Sequence, residues 1–241
     1  MDLTILFDEK GGSYLVKKSV DAHTKYGFIK ADELSKAKAG DVLTSNIGKK
    51  FTVLTPDSTD FFRKAKRGPQ AVTMKDCGII AAKTGIASGS KVVEAGTGSG
   101  VLSMFLANIL KPGKIVTYEV REDFAEIAAK NFERFGIKNI DLKQKNIYEG
   151  IDEENLDAII LDLPEPWLVV EHAKKSLKAG GYLTSYSPSI TQSKKFSDEL
   201  REDFTHETLE TLERTWNMKT VRPDTRMLGH TGFITIARFL G

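Results

Sequence analysis

Lys91-Val92-Val93-Glu94-Ala95-Gly96-Thr97-Gly98-Ser99-Gly100 is the stretch that decides the fold. A short apolar run ends in an acidic residue, and three glycines follow at alternate positions. Val101-Leu102-Ser103-Met104-Phe105-Leu106-Ala107-Asn108-Ile109-Leu110 then reads as a buried helix with no breaker. Strand, glycine turn and helix together form the entry to a nucleotide-type ligand site. The glycines let backbone approach the ligand, and the helix N-terminus offers unpaired N–H groups to an anion.

The glycine spacing separates two ligand classes. A dinucleotide turn asks for G-x-G-x-x-G. Here the third glycine comes one position early, and Val101 stands where the last glycine would be. The pattern E-x-G-x-G-x-G resembles the S-adenosylmethionine loop of class I methyltransferases. The methionine carboxylate of that cofactor suits the turn as well as a pyrophosphate does.

Working outward, the chain alternates strand and helix from residue 91 on. Strands are predicted at 91–94, 114–119, 140–144, 157–161 and 181–186, and helices at 100–110, 122–135, 166–178 and 190–202. Such alternation implies an α/β fold with a parallel, doubly wound sheet. The end of the chain breaks the rhythm. Thr208–Met218 and Gly232–Phe239 both read as strands with no helix between them, so an antiparallel hairpin finishes the sheet. Class I methyltransferases have that feature and nucleotide dehydrogenases usually lack it. Upstream, residues 1–60 show short apolar segments between Gly-Gly, Ala-Gly-Asp and Ile-Gly-Lys turns and are expected to form a small β domain. The domain expectation is therefore 1–60, then 61–241, with a helical lead-in at 61–90.

Composition narrows the class. The 241 residues are 40% hydrophobic, enough for a sizeable core, and the formal charge of +2 neither demands nor excludes a nucleic acid. The single cysteine, Cys77, excludes an intramolecular disulfide and a cysteine metal cluster. No metal is expected. The first residues carry acidic groups and a very short apolar run, which does not read as a signal peptide, and no apolar stretch is long enough for a membrane. A soluble cytoplasmic protein is the expectation.

Glu119 ends the second strand, 23 residues after Gly96, where a carboxylate can accept from both hydroxyls of a ribose. The alternative is a solvated strand end. Asn146 follows the third strand and can bond an adenine edge, although an Asn in a loop also serves as a turn former. Phe124 can flank the adenine or face the core. Asp157-Ala158-Ile159-Ile160-Leu161-Asp162-Leu163-Pro164-Glu165-Pro166-Trp167 delivers Asp162 to the C-terminal edge of the sheet, where ligands of open α/β sheets bind. The prolines stiffen the turn. The layout resembles the D/N-P-P-aromatic turn of enzymes that methylate exocyclic amines of bases. Asp162 as a plain turn former is the competing reading.

Taken with Arg67-Gly68-Pro69-Gln70, Lys75-Asp76, Tyr118-Glu119-Val120-Arg121, Tyr186-Ser187-Pro188-Ser189-Ile190-Thr191-Gln192 and Gly229-His230-Thr231-Gly232, these motifs resemble the tRNA (adenine-N1)-methyltransferase family that modifies the T-loop. The match runs from about His23 to the C-terminus. The resemblance implies a Rossmann-like class I methyltransferase sheet behind an N-terminal β domain, usually in a homotetramer. It also implies methylation of adenine 58 of tRNA, with archaeal members acting on adenine 57 as well. It puts Glu94, Gly96, Gly98, Ser99, Gly100 and Val101 in the cofactor loop, with Ser99 to Val101 at the methionine end. Glu119 then falls at the ribose, Asn146 and Ile147 at the adenine, Val72 closing over the cofactor, and Asp162 as the catalytic carboxylate. Gln70, Trp167, Tyr186 and His230 become substrate-binding candidates. An aromatic residue or histidine often stands in the family where this chain has Thr73, so stacking on an extruded base falls to Tyr186 or Trp167. Asn146 replaces the Asp of many members, and either accepts a hydrogen bond.

The remaining candidates have plainer readings. His230 can be a turn residue bonding backbone, and His172 and His206 are expected to be solvated. Cys77 is expected to be buried and inert. Arg63-Lys64-Ala65-Lys66-Arg67 can hold phosphates or be a solvated face. Two other functions compete with the tRNA reading. One is a methyltransferase of a small molecule or protein, which would share only the cofactor half. The other is a non-catalytic tRNA-binding subunit, which should have lost the glycine loop and Asp162.

Overall fold

A computed structural model describes residues 2–68 and 71–241. The chain forms two units, Met1–Ala65 and Lys66–Gly241, each with its own sheet.

The first unit contains β1 (Leu3–Asp8), β2 (Ser13–Lys17), β3 (Ala22–Thr24), β4 (Gly27–Ile29), α1 (Ala31–Lys36), β5 (Val42–Thr44), β6 (Lys50–Leu54) and α2 (Ser58–Lys64). Its antiparallel sheet runs β2-β1-β6-β5, and β3 pairs with β4. Leu6, Ile29, Leu34, Phe51 and Val53 fill its core. The helix α2, which the sequence suggested as part of a lead-in to the second unit, lies in this one. Asp57 starts it with a reciprocal cap: its carboxylate accepts from the Thr59 and Asp60 amides, and Asp60 accepts from the Asp57 amide.

The second unit holds α3 (Met74–Thr84), β7 (Val92–Ala95), α4 (Val101–Leu110), β8 (Ile115–Tyr118), α5 (Glu122–Arg134), β9 (Ile140–Lys143), β10 (Leu156–Leu161), α6 (Val170–Ser176), β11 (Leu177–Ser187), α7 (Ile190–Leu200), β12 (Phe204–Leu209), β13 (Trp216–Asn217), β14 (Arg222–Pro223) and β15 (Phe233–Phe239). The seven-stranded sheet runs β12-β15-β11-β10-β7-β8-β9. From β11 to β9 every pairing is parallel, while β15 is antiparallel to both β11 and β12. All four residues of β7 are buried, because parallel partners flank it on both sides.

Chain order explains where a ligand fits. From the central β7 the chain moves outward to β8 and β9, then returns to place β10 on the other side of β7. The loops after β7 and β10 therefore part company at the C-terminal edge, and the crevice opens between them.

Two local expectations differ from the structure. The strand foreseen at 208–218 is instead β12, which begins earlier, at Phe204, and ends at Leu209. Pairing with the whole of β15 sets its register, and Phe204 packs on Phe239 with ring centroids 5.1 Å apart. Most of 210–230 lies exposed and carries only the short β13–β14 ladder. The helix foreseen at 166–178 is split. A 3-10 turn over Pro166–Val169 precedes α6, and the chain from Leu177 is already strand, since it must pair with Leu156.

Gly100 sits at the N-terminus of α4 with φ +75°, and a Cβ there would lie 2.4 Å from Phe132 Cε1. Gly89 has φ +84° but open space around the same position. Both Gly→Ala changes carry backbone strain, yet only Gly100→Ala overpacks a ring. We expect Gly100→Ala to destabilise by about 1–3 kcal/mol more than Gly89→Ala. Paired denaturant titrations check this, and equal losses would show that the α4–α5 contact is loose.

Candidate cofactor and active site

The crevice between the two loops encloses about 330 Å³. Its walls come from four places: Ala71 and Val72 ahead of α3, the loop Gly96–Ser99 with Val101 and Leu102, the stretch Glu119–Arg121 with Phe124, and Asp162–Pro164. Glu94 closes the floor from β7.

The glycine loop is bent back on the sheet by main-chain bonds. The Gly96 amide donates to the Tyr118 carbonyl at 3.0 Å, and the Gly100 amide donates to the Thr97 carbonyl at 2.7 Å. Gly96 has φ +90°, and a Cβ on it would fall 2.1 Å from the Asp162 carbonyl oxygen. The two loops can approach this closely only because residue 96 has no side chain. Asn131 of α5 reinforces the loop by donating to the Ser99 carbonyl at 2.9 Å. The first N–H groups of α4 are left unpaired within the helix and available to an anion.

Glu119 joins this loop from β8. One carboxylate oxygen accepts from the Gly98 amide at 2.8 Å and the other from the Arg121 amide at 3.0 Å. Phe124 stands beside it with the Arg121 guanidinium 3.9 Å from its ring centre.

Three carboxyl groups, Glu94, Glu119 and Asp162, share the walls. Burial pushes Glu94 up to about 8, against bonds from Ser103 and Thr117 that favour its ionised form, and the neighbouring Asp162 and Glu119 charges add to the rise. Burial, then the charge of Glu119, pushes Asp162 up to about 7. One Glu94 oxygen, Oε1, is buried without a hydrogen-bond partner, as is the Ser99 hydroxyl.

Of the sequence candidates, Val72, Glu94, Gly96, Gly98, Ser99, Val101, Glu119, Phe124 and Asp162 come together on this cavity. Gly100 sits one step behind as the helix cap. Asn146 and Ile147 do not line it. The Asn146 side-chain oxygen Oδ1 accepts from the Tyr148 amide at 3.1 Å and caps a 3-10 turn, its side-chain Nδ2 donates to Glu149, and Ile147 lies in the core. Local turn chemistry takes Asn146 because the partner is two residues away and needs no ligand.

The substrate candidates are dispersed. Gln70 lies outside the described residues. Tyr186 is buried, and its hydroxyl donates to Asp76 at 3.3 Å. Trp167 is half-buried against the core beneath the Lys195 ammonium, 3.8 Å from its ring centre. His230 shares hydrogen bonds with Glu210 at 3.0 Å and the Pro188 carbonyl at 3.1 Å, which hold its pKa above the ordinary value. Thr73 donates to Asp76 at 2.8 Å. His172 is not solvated as foreseen; its ring nitrogen bonds the Tyr148 carbonyl at 3.0 Å. Cys77 is fully buried, with its thiol pKa pushed up by burial. Lys64 donates to the Ser13 carbonyl at 2.6 Å, and the Lys66 amide donates to Asn131 at 3.0 Å, so parts of the 63–67 cluster are engaged in structure. Sequence reasoning missed Ala71, Thr97, Leu102, Val120, Arg121, Leu163 and Pro164. Each adjoins a named motif residue, which is the signal that could have found them.

The sheet order, the E-x-G-x-G-x-G turn and the antiparallel final strand define a class I S-adenosylmethionine-dependent methyltransferase. Comparison with known proteins agrees. The family described as "tRNA methyltransferase complex GCD14 subunit" matches residues 64–232, and the chain belongs to it. It is 39% identical to the tRNA (adenine(57)-N(1)/adenine(58)-N(1))-methyltransferase TrmI of Methanocaldococcus jannaschii, over 97% of this chain and 94% of the relative. It is 30% identical to the tRNA (adenine(58)-N(1))-methyltransferase TrmI of Thermus thermophilus, over 97% and 95%. Among solved structures, a SAM-dependent O-methyltransferase from Thermotoga maritima aligns with TM-score 0.91 and 31% identity over 100% of this chain and 93% of that one. The tRNA (m1A58) methyltransferase TrmI from Aquifex aeolicus aligns with TM-score 0.83 and 27% identity, over 99% and 97%.

The residues present fit S-adenosylmethionine. The orphaned Glu94 Oε1 and the other carboxyl groups suit a cationic ligand, the Ser99 hydroxyl and the α4 N-terminus suit its carboxylate, and Phe124 offers an apolar face.

Two outcomes follow. In the folded chain Glu94 keeps its proton to about pH 8, against an ordinary value of 4.5. Between those limits the native state binds the extra proton, so stability falls as pH rises. Glu94→Gln cannot ionise, so its stability relative to the parent should climb from pH 5 to pH 9 in denaturant titrations. A constant offset would mean that Glu94 is already ionised at pH 5. Glu119→Ala should weaken S-adenosylmethionine binding by about 1.5–3 kcal/mol, the range for charged hydrogen bonds. Calorimetry giving an unchanged affinity would remove Glu119 from the ribose role.

Proposed function

We propose that this protein transfers a methyl group from S-adenosylmethionine to N1 of adenine in the T-loop of tRNA, at position 58 or at both 57 and 58. The observation that carries the reading is Asp162, placed at the sheet edge against Gly96 on the wall of the cofactor cavity. The similarity to enzymes named for adenine 57 and 58 supports the choice of substrate.

Val72, Gly96, Gly98, Ser99, Val101, Glu119 and Phe124 would hold the cofactor. Bound there, S-adenosylmethionine supplies a methyl group as an electrophile on a sulfonium. The acceptor needs no general base, because N1 of adenine carries a free lone pair near neutral pH. The chain's task is placement and charge. Asp162, as its carboxylate, accepts from the N6–H of the target adenine and fixes the ring. As the ring becomes cationic, with its charge shared by N6, the same carboxylate stabilises it. Burial makes that charge count for more than it would in water. Glu119, hydrogen-bonded to two backbone amides, keeps the loop and the ribose side in register.

The reading includes a cytoplasmic enzyme acting as an assembly of copies of this chain. Sedimentation tests the assembly. Among the described residues, no helix is long and apolar enough to cross a membrane.

The deciding experiment treats unmodified tRNA with the protein and S-adenosylmethionine and maps the product by mass spectrometry. Methyl groups at N1 of adenine 57 or 58 support the proposal. Transfer to a small molecule or a protein but not to tRNA would overturn it.

Asp162→Ala should lower single-turnover methylation at saturating cofactor on the order of a hundred- to a thousand-fold. Asp162→Asn keeps an acceptor but loses the charge and should fall between the two. With its pKa near 7, Asp162 is neutral in acid, so kcat/KM for S-adenosylmethionine should rise with pH through about 7. In Asp162→Asn that limb should be flattened. A parent-like rate in Asp162→Ala would make Asp162 a turn residue.

A further inference from the structure

Two of the sequence motifs are not used by the chemistry above: Lys75-Asp76 and Gly229-His230-Thr231-Gly232. The fold brings them together across about 155 positions of sequence. Asp76 is fully buried, and the Lys75 side chain beside it is only 14% exposed.

The hydrogen bonds around this pair form a closed circuit. The Lys75 ammonium donates to Asp76 Oδ1 at 2.7 Å, to the Thr211 hydroxyl at 2.9 Å and to the Thr231 hydroxyl at 2.7 Å. An ammonium has three N–H groups, and all are used. The same two threonines pass their own protons to Asp76, Thr211 to Oδ1 at 2.6 Å and Thr231 to Oδ2 at 2.7 Å. Thr73 and the Tyr186 hydroxyl complete the Oδ2 side at 2.8 and 3.3 Å.

The circuit's location gives it a consequence. Thr211 and Thr231 are the two roots of the exposed arm 212–230. Gly232, next to the second root, lies so close to the Tyr186 ring that a Cβ would be 2.5 Å from Cζ. Tyr186 is the next residue after Ser185, which is in register with Leu161, so Tyr186 in β11 lies level with Asp162, the first residue past the end of the neighbouring β10. At the other end, α3 begins just after Val72, which lines the cofactor cavity. One buried ion pair thus ties the segment before α3, the end of β11 and both roots of the arm.

A buried ion pair is a poor source of stability, because desolvation offsets most of the attraction, and apolar residues of equal size often do as well. Its use is to specify one geometry. We infer that Lys75 and Asp76 form a latch that positions Tyr186 and the roots of the 212–230 arm beside Asp162 for methyl transfer. Asp76 and Lys75 are positioning residues, acting through Thr211, Thr231 and Tyr186. The inference rests on the methyl-transfer reading of the same site.

The test uses the full chain and three variants. Thr211→Val with Thr231→Val removes both hydroxyls at nearly constant shape and leaves the ion pair in place. Asp76→Asn removes the charge, and Thr231→Ser restores a hydroxyl. The double valine variant should be cut by trypsin within the arm, at Arg214, Lys219, Arg222 or Arg226, at least tenfold faster than the parent. Its kcat for methylation should fall at least tenfold while KM for S-adenosylmethionine stays within twofold. Asp76→Asn should follow it if it folds, and Thr231→Ser should keep parent values of both. A purely structural role would lower melting temperature in the valine variant without this split between kcat and KM. The latch is overturned if cleavage and kcat stay within twofold of the parent, or if either changes without the other. If the parent itself methylates no adenine N1 in the mapped tRNA, the substrate reading fails, and the cleavage rates alone decide the latch.

Discussion

The close approach of Gly96 to the Asp162 carbonyl is the constraint on which the rest of this site depends. At 2.1 Å from that oxygen, a Cβ on residue 96 has nowhere to go. Glycine there lets the loops after β7 and β10 lie against each other, and that contact sits at the point where the strand order reverses. The glycine loop and Asp162 consequently lie side by side at one edge of the sheet. The Asp162 amide, donating to the Ala95 carbonyl at 2.9 Å, extends the sheet pairing right up to the site.

Electrostatics then follow from topology. Strand ends that meet at one crevice bring Glu94, Glu119 and Asp162 together, and burial makes like charges costly. Glu119 has its carboxylate bound by two amides. Burial outweighs the two hydroxyl bonds to Glu94 and, with the charge of Glu119, acts on Asp162, so both hold protons to higher pH. A cationic ligand in the crevice would offset that cost, as a nearby positive charge favours the ionised carboxylates.

Much of this was legible in the chain because it is local. The apolar run into Glu94, the alternate glycines, and Asp162 ahead of two prolines each announce their backbone from a few neighbouring residues. Glu119 could be placed by its distance from Gly96, since a strand–loop–helix–strand unit has a nearly constant length. Asn146 marks the limit of that reasoning. Its position in the order of motifs suggested a ligand, but an Asn can always cap the turn that follows it, and here it does. Tyr186 marks another limit. Its ring was a candidate for stacking on a base, while the structure buries it between Asp76 and Gly232, residues far from it in sequence.

The sequence by itself therefore determined the class of sheet, the glycine turn, the helix that follows it, and the carboxylate at the edge. All of these are written in periodicity, in glycine's freedom and in proline's stiffness, which act over a few residues. Only the tertiary structure decided the neutral state of Glu94, the meeting of Lys75 and Asp76 with Thr211 and Thr231, and the early start of β12 opposite β15. Those depend on desolvation and on pairing between distant segments. Neither quantity exists for a residue until the chain around it has closed.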